Sequence, residues 1–194
     1  MKKFVALLLA VLMVASLCAC GQKDTGSDLQ TVTKGKLTMS TNAQFPPYES
    51  VADDGKGYEG TGFEGIDIEI AYALAQKLGL ELVVDDMDFD SALSAVQTGK
   101  SDIVAAGVTV TPERQNTMSF TDSYANGVQV VIVKEGSDIK SIDDLEGKKI
   151  GTQRGTTGFI YCSDDYGDDN VIGFDDGATA VQNLLAGKVD CVVI

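Results

Sequence analysis

Residues 105–114, reading Ala-Ala-Gly-Val-Thr-Val-Thr-Pro-Glu-Arg, gather much of the hydrogen-bonding chemistry of this chain in one place. An apolar run closes at Gly107, and Thr109 and Thr111 alternate beyond it. Thr111 is a good helix N-cap, and Pro112 suits the first helical position. Arg114 then falls in the first turn, where the helix dipole favours acids. A cation set against that preference needs another reason to be there. A guanidinium fork holding a carboxylate by two bonds is one such reason, and a surface arginine balancing Glu113 is the other. Such a cluster would sit at the carboxyl end of a parallel strand, where open α/β sheets bind their ligands.

Other patterns point to less. Two G-x-G-x-x-G matches overlap, at residues 55–60 and 60–65, and the second precedes a helix and a strand ending in Asp85, as a dinucleotide site would. No strand leads into Gly60, and Glu64 and Asp67 put negative charge where a pyrophosphate needs bare amides. The glycines read instead as hairpin turns, and no cofactor is expected. The chain of 194 residues has no histidine, which removes Ser-His-Asp and Cys-His relays and any His-ligated zinc, and no metal site is expected. Glu49 and Glu64 could serve acid–base chemistry, but their spacing singles out neither.

The elements that must position these residues follow from periodicity. Residues 36–41 alternate as a strand, while residues 42–50, with Pro46 and Pro47, should be irregular and residues 53–62 rich in turns. Ile66, Ile70, Leu74 and Leu78 recur every fourth residue, predicting an amphipathic helix stopped by Gly79. A buried strand over 80–84, a helix over 89–98 and a strand over 103–106 complete a parallel α/β unit. The second half repeats the alternation. A strand over 128–133 and a capping box at Ser141 and Asp144 come first, then a strand over 149–152 and a helix from Thr157. A strand near Val171, a helix over 178–186 and a strand from Cys191 follow. Gly99-Lys-Ser-Asp102 returns 88 residues later as Gly187-Lys-Val-Asp190, which suggests two similar lobes.

The amino end reads as export machinery. Lys2 and Lys3 precede an apolar run over residues 4–17, too short to span a bilayer, so residues 1–19 are expected to be a signal peptide. Leu17-Cys18-Ala19-Cys20-Gly21 resembles a bacterial lipobox, with Cys20 lipidated after cleavage; plain secretion is the alternative. Residues 20–35 are then a flexible tether. Cleavage removes two lysines and no acid, taking the net charge from −14 to −16. Such a surface repels nucleic acid and anionic headgroups, so membrane attachment falls to the acyl chains. Cys162 and Cys191 remain; pairing and burial as separate thiols are both open. The chain closes on the apolar Cys191-Val-Val-Ile194 with no polar tail, which reads as an incomplete second lobe.

Six segments together carry a family resemblance. Asn42-Ala-Gln-Phe45-Pro-Pro-Tyr48-Glu49, Gly62-Phe-Glu-Gly-Ile-Asp67, Ala106-Gly-Val-Thr-Val-Thr-Pro-Glu-Arg114, Phe120-Thr-Asp-Ser-Tyr124, Gly147-Lys-Lys-Ile-Gly151 and Gly155-Thr-Thr157 resemble the extracellular solute-binding proteins of polar amino acid ABC transporters. The resemblance implies an α/β, two-lobe type II periplasmic-binding-protein-like fold, with residues 36–126 in the first lobe, 127–194 in the second and a hinge near 124–129. It implies that Arg114 holds a ligand α-carboxylate, helped by Thr109 and by backbone amides near Thr157. Gly107 would offer its carbonyl to the α-ammonium, and Phe45 and Tyr48 would pack on the ligand side chain. Asn42 stands where relatives often have an acid, which weakens the case for a cationic ligand. The ammonium-binding aspartate of relatives would fall just past Ile194. The implied protein is a monomeric, lipid-anchored binding protein on the outer face of the membrane, which delivers a free amino acid to a permease and is not an enzyme. The same fold resembles exported dehydratases and amino-acid-sensing domains, which are the alternatives.

Overall fold

The computed structural model describes residues 29–194; the expected signal peptide, Cys20 and the first part of the tether lie outside the described residues. The chain runs through β1 (Lys36–Thr41), β2 (Gln44–Phe45), β3 (Glu49–Val51), β4 (Phe63–Glu64), α1 (Ile66–Leu78), β5 (Glu81–Asp86), α2 (Phe89–Gln97), β6 (Ile103–Val104) and α3 (Pro112–Gln115). It continues through β7 (Val131–Ile132), β8 (Ile150–Gln153), α4 (Thr157–Tyr166), β9 (Val171–Phe174), α5 (Gly177–Leu185) and β10 (Cys191–Val193).

Two sheets form two lobes. The first has the order β5-β1-β6, all parallel, with α1 and α2 as crossovers, and the second has the order β7-β10-β8-β9, parallel except for β7. A small antiparallel sheet, β2-β3-β4, stands beside the first. Residues 42–50 are therefore not irregular throughout. The prolines occupy the turn, and their flanks pair, Gln44 with Ser50 and Phe45 with Glu49. The glycines nearby serve close approach: a Cβ on Gly65, at φ +124°, would overlap the Tyr48 carbonyl.

The shared Gly-Lys-x-Asp segment does the same work in both lobes. Asp102 accepts the backbone N–H of Thr38 at 2.8 Å and donates its own to the Thr38 carbonyl at 2.9 Å. Asp190 accepts the N–H of Lys149 at 2.8 Å and donates its own to the Lys149 carbonyl at 2.8 Å. Each aspartate thus clamps the start of the strand beside its own.

Several elements differ from the periodic reading. Helix α1 ends at Gly79 in the left-handed region, φ 69°, as expected, but it buries Asp67, Ile68, Ala71 and Ala75 and leaves Ile66, Ile70 and Leu74 exposed. The strand expected over 128–133 shrinks to β7, with Val128 and Val130 exposed. Met39, Ile68 and Ala71 centre the core of the first lobe, and the second has two clusters, one of Ala180, Leu184, Val189 and Val192 and one of Leu145, Ile150, Cys162, Val171 and Cys191. Both thiols are free and buried there, and burial, then the neighbouring Cys162, pushes the Cys191 thiol up to about 11.

Candidate functional site

A cleft of about 500 Å³ opens between the lobes. Asn42, Phe45, Glu49, Phe89, Ala106, Gly107, Thr109 and Arg114 line it from one side, and Gln129, Gln153, Thr156, Thr157 and Ile194 from the other. Asn42 follows the end of β1, Gly107 lies just past β6, Gln153 ends β8 and Ile194 follows β10, so the cleft sits at the carboxyl ends of parallel strands in both sheets.

Arg114 is only 8% exposed. Thr111 caps α3 by accepting the Arg114 N–H at 3.2 Å, and Pro112 opens the helix, so the short turn is fixed before the side chain leaves it. Nη1 donates to the Thr109 carbonyl at 2.7 Å, and Nη2 crosses the cleft to the Gly155 carbonyl at 3.0 Å. The guanidinium lies over the Phe89 ring, 5.6 Å from its centroid. Burial draws the Arg114 pKa down while Asp90 and Tyr161 oppose that, and a guanidinium stays charged through such a change. Among the described residues Arg114 makes no ion pair.

The facing lobe answers with the first turn of α4. Thr156 caps that helix by accepting the Phe159 N–H at 3.2 Å, and its hydroxyl donates to the Gln153 carbonyl at 2.7 Å. Thr157, buried, is the first helical residue, in the turn where backbone N–H groups lack intrahelical partners. Gly155 sits at φ +73°, a conformation that strains any other residue, and a Cβ there would push the Asp90 carboxyl aside.

Two further amides of the cleft bridge the lobes. Gln153 Nε2 donates to Asn42 Oδ1 at 2.9 Å and to the Asp175 carbonyl at 3.2 Å, while Asn42 Nδ2 donates to the Met87 carbonyl at 2.9 Å. Phe45 stacks on Tyr48 with centroids 5.5 Å apart and planes 8° from parallel. Tyr48 does not line the cleft; it backs Phe45. Gly107 takes φ +55°, and a Cβ there would meet Phe45 Cε1 at 3.3 Å. Its N–H donates to Asp67 Oδ2 at 2.8 Å. Glu49, 1% exposed, lies against Asp67; burial first, and then the Asp67 charge, push its pKa up to about 10.

The structure thus brings Asn42, Phe45, Gly107, Thr109, Arg114 and Thr157 to one cleft, with Tyr48 behind. Sequence reading missed Phe89, Gln129, Gln153 and Thr156, and it left Glu49 undistinguished. Gln153 and Thr156 could have been found, since they flank the Gly155-Thr-Thr157 segment at the end of a strand. Phe89 and Gln129 carry no local signal. Among the described residues no group of three or more His, Cys, Asp or Glu could hold a metal ion.

Two α/β lobes meeting over a cleft of this kind define the type II periplasmic-binding-protein fold. The chain belongs to the bacterial extracellular solute-binding proteins, family 3, whose pattern matches residues 37–185. It is 39% identical over 156 residues to the arginine-binding extracellular protein ArtP of Bacillus subtilis, covering 80% of this chain and 57% of that one. The arginine-bound form of truncated ArgBP from T. maritima superposes with a TM-score of 0.76 at 36% identity, over 84% of this chain and 74% of the other. An ancestral arginine-binding protein bound to glutamine does so with a TM-score of 0.75 at 40% identity, over 84% and 70%. The chain therefore spans less than two thirds of the length of the Bacillus relative.

Proposed function

We propose that this chain is the ligand-capturing part of an importer's binding protein, which closes two lobes on a free polar amino acid outside the membrane and delivers it to the permease. Arg114 carries the reading: a buried guanidinium whose two observed bonds go to neutral carbonyls has a full charge to offer an incoming carboxylate. The ligand carboxylate takes that fork, with Thr109 and the first amides of α4 near Thr157 completing its cradle. The Gly107 carbonyl accepts from the α-ammonium, and Phe45, braced by Tyr48, covers the ligand's apolar stem. Asn42 and Gln153 present amides rather than an acid to the ligand side chain, which favours a neutral hydrogen-bonding group over a cationic one. Residues 36–126 and 127–194 act as the two jaws. The protein works as a monomer tethered through lipidated Cys20 and residues 20–35 after loss of the signal peptide 1–19, and it takes no cofactor and no nucleic acid. Binding rather than turnover is favoured because the family and the relatives this chain matches are binding proteins.

Titration calorimetry with the twenty amino acids tests this. A polar one, L-glutamine ahead of L-arginine, should bind, and Arg114→Ala should cost about 2–5 kcal/mol because a desolvated carboxylate is left unpaired. Binding by none of them removes the functional reading, and near-wild-type affinity in Arg114→Ala removes the role of that residue.

A further inference from the structure

Cys162 and Cys191 are buried in one apolar cluster of the second lobe, and the register of the elements that carry them sets them against each other. β8, β9 and β10 are parallel, and α4 returns from the end of β8 toward the start of β9, so it runs antiparallel to all three. Its first turn touches the end of β10. A Cβ on Gly158 would stand 3.4 Å from the Val193 carbonyl oxygen and 3.5 Å from Val193 Cγ1, so a residue without a side chain brings the helix down onto the strand. Cys162 lies one turn along the same buried face of α4, about 6 Å on. Cys191 lies two residues back along the strand from Val193, about 6.6 Å away on the same face. The two steps match in length and direction. The alternation agrees, since Cys191 and Val193 join the cluster under α4 while Val192 packs on the other side with Ala180 and Leu184. The two sulfurs are near enough that Cys162, after burial, helps to raise the Cys191 pKa.

We propose that Cys162 and Cys191 are a disulfide site, whose oxidation outside the cell staples α4 to β10. A chain of an extracellular family folds in such an oxidising setting. Each sulfur gives up its proton and one electron, the S–S bond forms, and the two electrons and two protons convert one molecule of a small disulfide oxidant into two thiols. Burial shields both thiols in the finished fold, so the bond forms as the lobe folds. Thr157 precedes Cys162 on the same helix, Ile194 follows Cys191 at the end of the same strand, and both line the cleft. The bond therefore ties together two pieces of the second lobe's cleft wall.

The test refolds the full chain from urea, once in a buffer of oxidised and reduced glutathione and once with a reductant alone. After free thiols are blocked, peptide mass spectrometry of the oxidised sample should find Cys162 joined to Cys191 within one molecule, and the map separates that bond from any made by Cys18 or Cys20. The oxidised protein should melt about 5–10 °C above the reduced one. Amide exchange over residues 158–166 should slow roughly tenfold on oxidation. In Cys162→Ala and in Cys191→Ala the two melting points should coincide. A map with both sulfurs free, capped by glutathione or joined to Cys20 overturns the bond. A mapped bond with no rise in melting point, or with unchanged exchange in α4, overturns its role as a staple. Should either variant fail to fold, the wild-type map, melt and exchange decide alone.

Discussion

Glu49 shows how much one side chain's surroundings can outweigh its intrinsic chemistry. Its folded pKa, about 10, lies far above the ordinary glutamate range, so the protonated form is the one that folds. The sign follows: the stability it contributes is fully present below the ordinary glutamate pKa and is lost as pH rises toward about 10. Wild type should therefore lose up to about 1.4 kcal/mol per pH unit relative to Glu49→Gln across that window. Urea unfolding of both proteins from roughly pH 5 to 9 measures the difference, and parallel pH profiles would contradict it. Nothing adjacent to Glu49 in the chain reveals this, because its burial depends on a hairpin partner and on a helix start sixteen to eighteen residues away. Arg114 was legible for the opposite reason: it breaks a local rule, standing in a helical first turn that favours acids, and the chain's own carbonyls explain the exception.

Among the elements, α1 teaches most. Its sequence, IDIEIAYALAQKL, carries two apolar stripes, one through Ile66, Ile70 and Leu74 and one through Ile68, Ala71 and Ala75. Side-chain size favours the first, and the fold buries the second. The cause is Asp67: holding the Gly107 N–H requires its face to turn inward, which carries Ile68 with it and rotates the larger stripe toward solvent. Ala71→Leu should therefore overpack the first core and cost about 1–3 kcal/mol, while Ile70→Ser should change stability by no more than about 0.5 kcal/mol. Denaturant midpoints in the reverse order would mean that the helix is rotated. Elsewhere some strands came out shorter than their apolar runs, β7 keeping two residues of an expected six, while the signals at helix ends held. Thr111 and Asp144 cap as expected, and Gly79 stops its helix in the left-handed region. The prolines misled only by hiding the short strands on either side of their turn.

At the scale of the whole molecule, the repeated Gly-Lys-x-Asp segments were a faithful signal of two alike lobes, since each aspartate clamps the neighbouring strand in the same way. The contacts between the lobes were not legible, because they join residues 41 and 111 positions apart that share no pattern. Gly155 and Gln153 of the second lobe already hold Arg114 and Asn42 of the first. A solute entering the cleft meets these two bridges between the lobes, so capture is coupled to their release and the jaws set its clock. Stopped-flow fluorescence should then show an observed rate that climbs with solute concentration and levels off at the speed with which the Arg114–Gly155 bridge lets go. A rate that keeps climbing in proportion would mean that the bridge imposes no delay. Such a receptor would fill no faster in rich surroundings than its own jaws permit.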